Sequence, residues 1–99
     1  MDELKTFIED MWDELNGAKH YAQCAMKHKT DITRSNMYAE MARQELNHFD
    51  NLHKSGAKMI EAHAAGYADG QTLKAVWEFE TDRLMDKAVK IRTMLDMAR

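Results

Sequence analysis

Apolar residues recur along this chain at the three- and four-residue spacings of an α-helix, and no segment alternates with the two-residue period of a strand. In the first third, Leu4, Phe7, Met11, Ala18, Tyr21 and Ala25 fall on one face, flanked by Ile8, Leu15 and Ala22. In the middle third the face is Tyr38, Met41, Ala42, Phe49, Leu52, Met59 and Ile60. In the last it is Leu73, Val76, Trp77, Leu84, Ala88, Ile91 and Leu95. Each is a broad stripe of the kind that a bundle helix turns towards a core.

The punctuation between the stripes sets the element boundaries. Asp2 can cap a first helix that is predicted to run to about His28. The polar stretch Lys29-Thr30-Asp31 turns the chain, and Thr30 or Asp31 can cap the second helix. That helix is expected to continue to about Ala65, with room for a break at Ser55-Gly56. Gly66 suits a helix C′ position, and Asp69-Gly70 is a turn signal. A third helix fills the rest. The expectation is one all-α domain over residues 1–99, with three long helices, the first two an antiparallel hairpin.

Composition narrows this picture. There is no proline, and helix-forming Ala, Met, Leu, Glu and Lys dominate. Ninety-nine residues support a single, thin core. A net charge of −3 with interspersed signs leaves no basic face for nucleic acid. No apolar run approaches the ~20 residues of a membrane span, and the acidic start Met1-Asp2-Glu3 does not read as a signal peptide. A cytoplasmic protein is expected. The lone Cys24 rules out an intramolecular disulfide and any four-cysteine metal module, and no partner is read for it at ligand spacing. The nine methionines suit core filling and an adaptable interface.

Four charged or titratable residues fall where the stripes leave no room for them: Glu14, Glu45, His48 and Glu80. A carboxylate on a core face is costly unless it is paired, protonated, hydrogen-bonded or bound to a metal. Register then links three of them. If the first two helices reverse about Thr30, residue n faces roughly residue 60 − n, at ~1.5 Å rise per residue. Glu14 therefore comes level with Leu46, between Glu45 and His48. Glu45 and His48 form an i, i+3 pair and point the same way. Carboxylate and imidazole suit iron or manganese, and a carboxylate can bridge two such ions. The alternative is a buried Glu14–His48 pair that only fixes register.

This arrangement resembles the ferritin-like superfamily, whose four-helix bundles draw a glutamate from each of two helices and a Glu-x-x-His from each of the other two. Glu14 followed seven residues later by Tyr21 is similar to the first helix of ferritins and rubrerythrins. Tyr38-Ala39-Glu40 through Glu45-Leu46-Asn47-His48 to Leu52-His53 resembles their second helix. The likeness covers residues 4–60; the third helix has no specific match. It implies Fe(II) oxidation or related oxygen or peroxide chemistry, with Glu45 the best bridging ligand and Glu14 and His48 terminal ligands. Only half the ligand set is present, as in the half-length encapsulated ferritins that pair across a dimer interface. The resemblance thus implies a homodimer, or a multiple of dimers, that completes a four-helix bundle and holds two iron or manganese ions per dimer. Those relatives carry a C-terminal targeting tail. None is read after Met97-Ala98-Arg99, so encapsulation is not expected.

The remaining candidates rank lower. Reversal about residue 68 puts Glu80 level with Gly56, about eight residues or ~12 Å from His48. Glu80 is then a second-tier ligand or access-route residue, and more readily the partner of a lysine or arginine. Tyr21 can carry an electron or donate a hydrogen bond near the metals, or serve as a plain core tyrosine. His63 is read as a hydrogen-bonded core or interface histidine; His20, His28 and His53 as solvated. The rival function is a metal-free helical interaction or accessory module.

Overall fold

A computed structural model describes residues 2–66 and 69–98. It contains three helices, α1 (Asp2–Lys27), α2 (Ile32–Ala64) and α3 (Gly70–Met97), and among the described residues no strand. They lie side by side in a rod of 56 × 16 × 15 Å. None is long and apolar enough to cross a membrane.

The α1–α2 turn is tight because its backbone groups are satisfied locally. Lys29 N–H donates to Met26 O (3.2 Å) and Asp31 N–H to His28 O (2.9 Å). Asp31 is the cap of α2, its carboxylate accepting from Arg34 N–H at 3.2 Å. Ser35, buried, donates its hydroxyl to Ala25 O at 2.8 Å. These two residues stand five positions either side of Thr30, so this bond fixes the expected hairpin register. α1 begins at Asp2 itself, so that residue lies within the helix it was expected to cap.

The core is one cluster drawn from all three helices. Met11, Leu15, Phe49, Ile60 and Ile91 are its largest fully buried side chains. Each such burial stabilises by roughly 1.5–3 kcal/mol. Val76, expected on the core stripe of α3, is instead exposed. α2 runs unbroken through Ser55 and Gly56, where a break was allowed. Gly56 is buried because the Trp77 ring of α3 lies directly over it; the space of a Cβ there is filled by indole carbons. His53 stacks on the same ring at 5.9 Å and 13°, and Phe7 of α1 meets its edge at 6.5 Å. Arg92 Nη2 donates to both oxygens of Asp50, at 3.2 and 3.0 Å, tying α3 to α2 further along.

α2 ends without the left-handed glycine expected at Gly66. No described glycine has positive φ. Ala65 N–H returns to Glu61 O and Gly66 N–H to His63 O, the tightened last turn that satisfies carbonyls without αL geometry. The glycine that the connection requires is Gly70, whose missing Cβ leaves room for the backbone of Ala64.

Candidate metal centre

Glu14 on α1 and Glu45 and His48 on α2 come together as the register expects. One ligand atom from each lies within 4.8 Å of the others. His48 Nδ1 stands 3.3 Å from Glu14 Oε2, so an Nδ1–H can donate to that carboxylate. Glu45 hydrogen-bonds Glu14 as well. Sharing that bond, together with partial burial and the Glu14 charge, pushes the Glu45 carboxyl above the usual carboxylate range; the His48 charge opposes the shift. Two carboxyl groups thus compete for one space in which a cation would satisfy both.

The trio occupies the rim of the core. Sequence periodicity puts Glu45 at the centre of the apolar face of α2, but the buried stripe is Ala39, Ala42, Leu46, Phe49 and Ile60. Glu45 is half-buried, Glu14 retains 25% of its side-chain accessibility and His48 retains 57%. The rotation follows from α3. At 100° per residue, Asp50, which α3 grips through Arg92, points 200° away from His48. On α1, Trp12 and Asn16 both touch Lys87 of α3, and Glu14 lies two residues from each. Both ligand-bearing helices therefore turn their ligands away from α3, onto the open flank of the hairpin.

That flank is shaped and charged. A groove of about 460 Å³ begins one turn from the trio, lined by Glu3, Thr6, Phe7, Asp10 and Leu52. Its acidic walls favour a cation over an anion. On the other side of the trio, Tyr21 stacks with Tyr38 at 6.4 Å and 21°, and Tyr38 in turn stacks with His28 at 5.7 Å. Tyr21 is one helical turn beyond Gly17 and is not a member of the ligand cluster.

Several secondary expectations change. Glu80 is not brought to the trio. It lines a small cavity with Trp12, Arg83 and Leu84 on the α1–α3 seam. No ion pair reaches it among the described residues, because Arg83 lies over the Phe79 ring at 6.0 Å instead. His63 is hydrogen-bonded as expected, with Nδ1 3.1 Å from Met59 O. His53 and His28 are half-buried in ring stacks rather than solvated. Cys24 does have a neighbour at helical spacing, His20, with Sγ 3.8 Å from Nε2. One thiol and one imidazole are too few for a closed metal site. The residue that sequence reasoning passed over is Gly17, on which Glu45 rests. Its signal was a glycine in the middle of a helix, three residues after Glu14.

The donor set is chemically coherent. Two carboxylates and one imidazole make a hard-to-borderline site that fits Fe(II) or Mn(II) better than copper(I) or a thiolate-seeking ion. Three such donors on an open flank would leave further coordination positions on an ion held there. No family model matches the chain, and no curated protein or solved structure matches it either.

Proposed function

We propose that this chain is a half-site metal protein of ferritin-like type. In this reading Glu14, Glu45 and His48 of two copies face each other across the open α1–α2 flank and hold two iron or manganese ions between them. The observation that carries the reading is the convergence of three ligand-type side chains from two helices, at 4.8 Å or less, on the one flank that α3 leaves open. A two-fold axis beside this flank doubles the donors to four carboxylates and two imidazoles, and an isologous interface is the commonest way for a small chain to do so. It also covers the half-buried Met41, Leu52 and Met59, which flank the candidate ligands along α2.

Glu45, whose carboxyl reaches across to Glu14 and to Gly17 of α1, is assigned the bridging role, and Glu14 and His48 terminal roles. Fe(II) is then the substrate. Two adjacent Fe(II) ions supply one electron each, the pair needed to reduce dioxygen or a peroxide by two electrons. The residues of the chain hold the cations and exclude bulk water once the second copy is seated.

The test is elemental analysis of protein purified without a polyhistidine tag, joined to anaerobic sedimentation with and without Fe(II). Two ions per two chains, and a shift towards the dimer or its multiples on adding Fe(II), are expected, since linkage is reciprocal. A monomer holding two ions would sink the half-site arrangement. Protein that takes up no divalent ion would leave Glu14, Glu45 and His48 as a register-fixing polar trio in a metal-free interaction module.

A further inference from the structure

Gly17 sits in the body of α1, where glycine is a worse helix former than any residue but proline. A Cβ at this position would stand 2.8 Å from Glu45 Oε2, 3.2 Å from its Cδ and 3.5 Å from its Cγ. The three nearest atoms all belong to the end of one side chain. Where a glycine serves to bring chain segments together, backbone comes nearest, as the backbone of Ala64 does at Gly70. Where it serves to seat a core ring, ring carbons come nearest, as at Gly56. At Gly17 the space is taken by a carboxylate.

We infer that Gly17 is a positioning residue of the metal centre, its absent Cβ forming the berth that holds the Glu45 carboxylate against Glu14 and His48. The inference rests on the metal-binding reading above. Glu45 is the ligand assigned to bridge, so its carboxylate must reach towards α1. The berth supplies that reach without moving either helix. A methyl group at position 17 would take the place now held by Oε2. The carboxylate lies at the end of a flexible side chain, so it would swing away while the helices stayed packed. The ligand would be misplaced and the fold kept.

The experiment compares wild type, Gly17→Ala, Glu45→Asp and the double variant, with Mn(II) as the probe. Affinity is read anaerobically from the electron paramagnetic resonance of free Mn(II), and the melting temperature of each metal-free protein is recorded beside it. Gly17→Ala is expected to weaken Mn(II) binding at least tenfold, with a metal-free melting temperature equal to or above wild type, as the helix preference of alanine dictates. In the Glu45→Asp background, where the shorter side chain no longer covers position 17, the same change is expected to cost much less than tenfold. Unchanged affinity in Gly17→Ala, with wild type binding normally, would overturn the inference and leave the metal centre standing. An equal loss in both backgrounds would overturn it too, as would a lowered metal-free melting temperature, since Gly17 would then act through helix packing. Wild type that binds no Mn(II), Fe(II) or Co(II) would remove the metal centre itself, and the role of Gly17 with it.

Discussion

α2 meets its two neighbours through two glycine-centred contacts of opposite character. At Gly56 an indole ring of α3 lies over α2, stacked on by His53 and met at its edge by Phe7. At Gly17 a carboxylate of α2 lies over α1, beside a second carboxylate and a largely exposed imidazole. The geometry is similar, a helix notched to receive a side chain, and the chemistry differs. An apolar plug gains from burial alone and needs nothing further. Two carboxyl groups pressed together are at ease only while they share a proton, and that hydrogen bond, partial burial and the Glu14 charge raise the Glu45 carboxyl above its ordinary range. The first contact holds the fold together. The second stores a demand that a cation can meet.

The strongest test of this division is Trp77→Ala, which should cost about 3–5 kcal/mol of stability by emptying the seam over Gly56. Denaturant unfolding measures the loss. Metal stoichiometry per folded chain should be unchanged; if binding vanishes while the helices remain, the two contacts are one cooperative unit. Next comes the metal itself. Fe(II) or Mn(II) at a hundredfold excess over its dissociation constant should stabilise by about 2.7 kcal/mol. Glu45→Ala or His48→Ala should remove that increment and leave the helical circular dichroism intact.

The glycines themselves sharpen the comparison. Gly56→Ala should destabilise by about 1–3 kcal/mol, because a rigid buried ring cannot move aside. Gly17→Ala should be neutral or stabilising in the metal-free protein. Parallel thermal melts of the two variants separate a structural notch from a functional one.

Much of this layout is readable from residue spacing. The short turn capped by Asp31 fixes the register of α1 against α2, so counting residues outward from Thr30 is enough to bring Glu14 level with the Glu45–His48 pair. What spacing cannot give is rotation about the helix axis. α2 serves two neighbours, and the pull of α3 on Asp50 and Gly56 turns its buried stripe towards Leu46, leaving Glu45 at the rim. For the same reason Gly56 reads as a break and proves to be a seat. His28 and His53 read as solvated because their partners, Tyr38 and Trp77, lie on other helices. The missing Glu80 partner has a similar origin: a nearby arginine is visible in sequence, but its preference for the Phe79 ring is not.

Two smaller effects complete the series. Because the Glu45 carboxyl is raised in the folded chain, its contribution to metal-free stability is fully present below the ordinary carboxylate pKa and is lost as pH rises through the raised one. Metal-free melts from about pH 4 to about pH 7 should therefore show a downward component that Glu45→Gln flattens. Glu80→Ala should change stability by no more than about 0.5 kcal/mol and leave metal stoichiometry as it was. Metal loss in Glu80→Ala as complete as in Glu45→Ala would bring α3 into the centre after all.

Glu14, Gly17, Glu45 and His48 all lie in the first two helices, and the ligands that must meet are only 34 residues apart. On the ribosome, where chains emerge from the N-terminus, the hairpin is complete when Ala64 has emerged, before α3 has left the exit tunnel. The hairpin that carries the candidate metal centre is thus expected to take shape first and the Trp77 plug to pack on it afterwards. A released chain truncated at residue 66 should then already hold Glu14 near His48, without the Trp77 seam.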